Sequence, residues 1–105
     1  MTTRQRLPNR RPSFSFNFGC GGHSYIATIS HFPGTDRLAE IFLGNGRAGS
    51  GLDAAAKDSA VIASIALQYG VPVETIRHAL LRNADGSAAS PLGAALDVIA
   101  EAAKP

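Results

Sequence analysis

Phe14, Phe16 and Phe18 alternate with Ser13, Ser15 and Asn17, a period of two that predicts a strand with three rings on one sheet face and a polar row on the other. Gly19-Cys20-Gly21-Gly22 reads as a flexible turn. His23 to Phe32 alternates around Tyr25, Ala27 and Ile29 and is rich in β-formers, which predicts a second strand. Pro33-Gly34-Thr35-Asp36 turns the chain again, and Arg37 to Leu43 completes the set. The short connections leave no room for a βαβ crossover, so the three strands form an antiparallel meander.

The period then changes. Ser50 is placed to cap a helix that begins near Leu52 and runs to Tyr69, where Gly70 supplies a left-handed stop and Pro72 prevents continuation. At 100° per residue, Asp53, Lys57, Ser64 and Gln68 fall in one narrow polar stripe, while alanine, leucine, isoleucine and valine cover most of the remainder. So wide an apolar surface predicts covering on more than one side. Asp58 falls beside Ile62, Ile65 and Tyr69, where an arginine partner is expected.

Pro72 starts a second helix, with Val73, Ile76, Ala79 and Leu80 inward and Glu74, Arg77 and His78 outward, His78 one turn after Glu74. Residues 83–89 form a polar loop. Ser90 and Pro91 are an N-cap and N1 pair for a third helix that buries Leu92, Ala95, Leu96 and Ile99. The expected class is α+β: a three-stranded antiparallel β-meander followed by a long buried helix and two shorter helices.

At 105 residues and 45% hydrophobic content, the chain has room for one core and no second domain. Its formal charge of +2 conceals an asymmetry: Arg4, Arg6, Arg10 and Arg11 crowd the first eleven residues, leaving six basic against eight acidic residues elsewhere. Residues 1–12 are therefore expected as a basic flexible arm and 13–105 as the folded domain. Such an arm attracts phosphates or acidic protein, or is simply a solvated leader. A lone Cys20 excludes an internal disulfide and suits a reducing cytoplasm. No stretch approaches the roughly 20 apolar residues of a membrane span.

Gly44-Asn45-Gly46-Arg47-Ala48-Gly49 satisfies G-x-G-x-x-G between a strand and a helix. A dinucleotide site needs a parallel βαβ unit around that motif, and a Walker loop needs a lysine where Ser50 stands. A milder anion site, spanning Gly46, Arg47, Gly49, Ser50 and Gly51, is compatible with the pattern: free backbone N–H groups of Gly49 to Asp53, the Ser50 hydroxyl and the Arg47 guanidinium around a phosphate or carboxylate. The glycines equally serve a tight strand-to-helix turn, and Asp53 already occupies part of the positive helix end. Cys20, His23 and His31 are spaced as C-x2-H-x7-H, yet structural zinc sites show two close ligand pairs and this chain has one, so no metal is expected. As a thiol–imidazole pair, Cys20 and His23 lack a third residue to orient the base.

The run Ala39-Glu40-Ile41-Phe42-Leu43, Gly46 to Ser50, then Ser64 to Pro72, with Gly22-His23, Tyr25, Thr28 and the lead-in Leu7-Pro8-Asn9-Arg10-Arg11, resembles the TSCPD domain. That small domain lies at the C-terminus of class II, adenosylcobalamin-dependent ribonucleotide reductases. The resemblance implies an accessory or regulatory binding module linked to a reductase catalytic chain, with no cofactor of its own, since the parent enzymes carry adenosylcobalamin in a catalytic barrel far longer than this chain. A copy beginning at its own Met1 suggests recruitment as a separate adaptor, with nucleotide contact and self-association as further expected partnerships. Two departures argue against redox chemistry. The motif that names the domain falls at Ala88-Ala89-Ser90-Pro91-Leu92, with Ser90 where the family has cysteine and Leu92 where it has aspartate, and no paired cysteines follow. The order of three strands, a G-x-G loop and an alanine-rich helix is also similar to part of a double-stranded RNA-binding domain. The lysines which that family sets at the helix start are replaced here by Gly49, Ser50, Gly51 and Asp53, leaving Arg47 and Lys57. Nucleic-acid binding by the arm and the helix N-terminus is the alternative expectation.

Overall fold

The computed structural model describes residues 3–44 and 51–104. Strand β1 (Phe14–Cys20) and strand β2 (His23–His31) are joined by Gly21-Gly22 at φ of 59° and 79°. That left-handed pair makes the tight hairpin turn only glycine adopts at little cost, and it sets Cys20 opposite His23. From this register Phe18, Phe16 and Phe14 exchange backbone hydrogen bonds with Tyr25, Ala27 and Ile29, so Ser15, Asn17 and Gly19 aim their backbone groups away from β2. Strand β3 (Leu38–Gly44) pairs antiparallel on the other side of β2, with a bulge between Ser30 and His31. The expected meander and the α+β class are the observed ones.

Helix α1 (Gly51–Gln68) packs Ala56, Ala60, Ala63 and Leu67 onto the sheet, the small alanines letting the helix approach β3 closely. Its polar stripe also turns inward. Ser64 Oγ accepts from the Ile41 N–H at 2.9 Å and donates to the Ile41 carbonyl at 3.0 Å, and Gln68 Nε2 donates to the Ala39 carbonyl at 3.2 Å. Alternation along β3 points these backbone groups away from β2, so two side chains of α1 serve the free edge of the sheet. The opposite side of the helix, with Val61, Ile62, Ile65 and Tyr69, stays exposed. The expected second covering is therefore not supplied within the described residues. Asp58 is exposed on that side, and no described residue forms the ion pair expected for it.

Gly70 at φ 97° ends α1, its N–H bonding the Leu67 carbonyl while the Val71 N–H bonds that of Ala66, a Schellman stop. Helix α2 (Val73–Ala79) follows, then α3 (Pro91–Ala102), whose Ser90 cap accepts from the Gly93 N–H at 3.3 Å. Leu92, Ala95 and Leu96 of α3 complete the core. His78 lies 3.2 Å from Glu74, as its spacing predicts.

Asp97 ties these last elements together. It accepts from Arg77 Nε at 2.9 Å and from both terminal nitrogens of Arg82 at 2.6 and 2.7 Å. The Arg82 hydrogen bonds lead in drawing its carboxyl down to about 2, against partial burial that opposes them. A depressed carboxylate stabilises the fold above its ordinary pKa near 3.8 and loses that contribution as pH falls through about 2. Because the side chain is 30% exposed, solvent screening limits the expected loss in Asp97→Asn to about 1 kcal/mol at pH 7. Urea unfolding of the two proteins at pH 7 and pH 2 checks this, the difference shrinking at the lower pH.

Residues 3–12, expected as a flexible arm, make several contacts with the domain. The Gln5 N–H bonds the Gln68 carbonyl at 2.7 Å and Arg4 Nε bonds Gln68 Oε1 at 2.8 Å. Arg11 forks onto Glu40, with Nε to Oε1 at 2.5 Å and Nη2 to Oε2 at 3.0 Å. That hydrogen bond raises the already high Arg11 pKa. Glu40 is buried on the sheet face opposite the helices, while Arg6 and Arg10 are exposed.

Candidate binding groove

The helix-facing side of β1 and β2 is only partly covered. Phe18 stacks on Tyr25 with ring centroids 5.5 Å apart and is buried, Phe16 is half-buried, and Phe14 is 60% exposed. This gradient arises because α3 covers one end of β1 and the α1–α2 turn stands away from the other. The space left is a groove of about 1050 Å³. Phe14, Phe16 and Ile29 form its floor, Val71 of the α1–α2 turn and Val73 at the start of α2 one wall, and Val98 and Ile99 of α3 the other. Its volume and apolar lining are those of a site that takes a small molecule or an apolar segment of a partner.

Polar groups stand at the groove's mouth. The His31 ring meets Phe14 edge-on at 6.3 Å. Arg37 holds its guanidinium 4.7 Å over the Phe32 ring and pairs with no described carboxylate. Stacking of this kind fixes a cation without neutralising it. Glu74, also at the mouth, is held by Arg77 at 2.9 Å and His78 at 3.2 Å. Asp36 beside Arg37 brings a compensating negative charge.

Of the described candidate ligands and arm residues expected from sequence, His31 alone lines the groove. Gly46, Arg47, Gly49 and Ser50, the expected anion loop, fall outside the described residues. Gly51 is the first described residue of α1, and Asp53 in its first turn is buried and salt-bridged to Lys57 at 2.9 Å. Cys20 and His23 face one another across the β1–β2 turn, whereas His31 ends β2, eight strand positions and roughly 26 Å from His23. Among the described residues no three histidine, cysteine or carboxylate side chains gather as metal ligands do. His31 instead belongs to the groove. No single spacing announces this groove, because five chain segments line it; the one local sign is a three-phenylalanine row longer than the helices cover.

Among the described residues no helix is long and apolar enough to cross a membrane.

Comparison with known proteins agrees with the sequence pattern. The family model described as "TSCPD domain" matches residues 2–103. The chain is 39% identical over 72 residues to the "Vitamin B12-dependent ribonucleotide reductase" of Streptantibioticus cattleyicolor, covering 69% of this chain and 12% of that protein. It matches the protein of the same name from Streptomyces clavuligerus at 39% over 72 residues, and that from Agrobacterium fabrum at 37% over 71 residues. These cover 69% and 68% of this chain but 7% and 6% of the relatives. The chain thus spans a small fraction of the curated relatives it matches. No solved structure gives a significant match.

Proposed function

Because the chain belongs to the TSCPD domain family, we propose that it is a non-catalytic binding module linked to ribonucleotide reductase, docking in the cytoplasm on a reductase catalytic chain. The observation that carries this reading is one of proportion: the match takes in 69% of this chain and 7% of a reductase. A segment of that size corresponds to one small module of the relative. The groove supplies a surface suited to the task, an apolar trough lined also by Arg37, which stacks on Phe32 and forms no ion pair among the described residues. An apolar segment of the partner with an acidic residue at its end would satisfy both features.

The test is a binding titration of the nuclease-treated protein against a vitamin B12-dependent reductase catalytic chain, read by calorimetry. Saturable binding is expected, weakened at least tenfold by Val98→Glu, which places a charge on an exposed position of the groove wall. Arg37→Gln should weaken it and make the remaining binding less salt-sensitive. Absence of binding by the wild type sinks the reading. So does binding that persists only while nucleic acid is present, which would transfer the role to Arg6 and Arg10.

A further inference from the structure

The two edges of the sheet are treated differently. On β3, Ser64 and Gln68 meet the outward backbone groups of Ile41 and Ala39. On β1, the outward N–H and carbonyl groups of Ser15, Asn17 and Gly19 have no hydrogen-bond partner among the described residues. Native edges are usually blunted by charge, proline or a covering element. β1 reads Phe-Ser-Phe-Asn-Phe-Gly-Cys, with neither charge nor proline, and Ser15, Asn17 and Gly19 are all exposed. Its composition is that of a strand that expects a neighbour.

We infer that the β1 edge is an interaction surface whose occupant is a second copy of this chain, joined antiparallel through β1 across a two-fold axis at Asn17. The register follows from geometry. Only Ser15, Asn17 and Gly19 present backbone groups outward, so hydrogen-bonded pairs must join these residues to one another. Centring the axis on Asn17 pairs it with its own copy and Ser15 with Gly19, using all three residues for about six ladder hydrogen bonds. Other registers leave one of them unpaired. In this register Phe16 of each copy stands opposite Phe18 of the other, and Phe14 opposite Cys20, on the helix-facing side. Cross-strand aromatic pairs of this kind stabilise a sheet, and exposed Phe14 gains cover.

The electrostatics favour a like partner. β1 meets its copy without charge against charge, and the chain's +2 opposes association weakly. The contact is isologous and closes at two copies, giving one continuous six-stranded sheet with both α1-capped β3 strands at its outer edges. A charged or heterologous strand would find nothing on β1 to select it. The inference is independent of the reductase reading.

Asn17 is the place to test it, because its exposed side chain lies outside the groove and meets its own copy at a Cα separation of about 5.5 Å. Sedimentation of the wild type over a concentration series should give a species of twice the monomer mass. Asn17→Lys and Asn17→Asp, each alone, should weaken that association about tenfold by facing like charges, and an equimolar mixture of the two should restore it. Circular dichroism confirms that each variant is folded. Amide exchange at Ser15, Asn17 and Gly19 should slow as concentration rises. A wild type that stays monomeric, an assembly that grows past two copies, variants that associate like the wild type, a mixture that fails to recover, or a dimer in which these amides remain fast would each overturn the inference.

Discussion

Ser64→Val is expected to lower the free energy of unfolding by about 3 kcal/mol, although it replaces a small polar residue by a somewhat larger apolar one on a helix already rich in apolar residues. Ser64 is buried, and its hydroxyl is the partner of both the N–H and the carbonyl of Ile41, itself fully buried. Valine leaves two buried backbone groups without partners, each costing about 1–3 kcal/mol, and the hydrophobic gain of its methyl groups offsets part of this. Ser64→Thr keeps the hydroxyl and should lose less than half as much. Urea denaturation with matched m-values checks the pair. If valine proves neutral, the β3 edge is not served by α1 in the way described. Gln68→Leu should show a smaller loss, because its amide donates to the Ala39 carbonyl alone on that edge.

Arg11→Ala is expected to lower the melting temperature by about 10 °C, an unusual effect for the eleventh residue of a chain. The reason is the partner. Glu40 is buried and Arg11 supplies the fork that satisfies its carboxylate oxygens. Removal of the guanidinium strands an ionised carboxylate away from water, which costs more than the intact pair contributes. The double variant Arg11→Met with Glu40→Met removes both charges, and it should recover most of the lost melting temperature. Scanning calorimetry of the single and double variants decides the matter. A double variant as unstable as Arg11→Ala would show that the loss comes from shape and not from the stranded charge. The same pairing bears on nucleic-acid contact, since it leaves Arg11 neutralised and Arg4 bonded to Gln68.

The groove shows how far a site can be read from residues alone. Phe14, Phe16 and Phe18 were legible as one row, and their common face is observed. That the row outruns its cover depends on where α3 and the α1–α2 turn come to rest, which no local pattern encodes. His31 was grouped with Cys20 and His23 by sequence spacing. An extended strand separates residues by about 3.3 Å each, so His31 lies at the opposite end of β2. Arg37 carries no sequence motif, because its significance rests on the Phe32 ring beneath it and on the groove at its side.

What the sequence determined by itself was local. Alternation at 14–18 and 25–29 set the strands, Gly21-Gly22 set the hairpin register, Gly70 stopped α1, and Ser90-Pro91 opened α3. Each follows from covalent geometry and near neighbours, which a few residues are enough to specify. The tertiary structure decided which side of α1 faces the sheet. Counting apolar residues predicts that Val61, Ile62, Ile65 and Tyr69 are covered and leaves the polar stripe to solvent. The reverse holds for Ser64 and Gln68, because the open edge of β3 presents buried N–H and carbonyl groups that require partners. That requirement belongs to a strand some 25 residues earlier in the chain and comes into being only when the two elements meet.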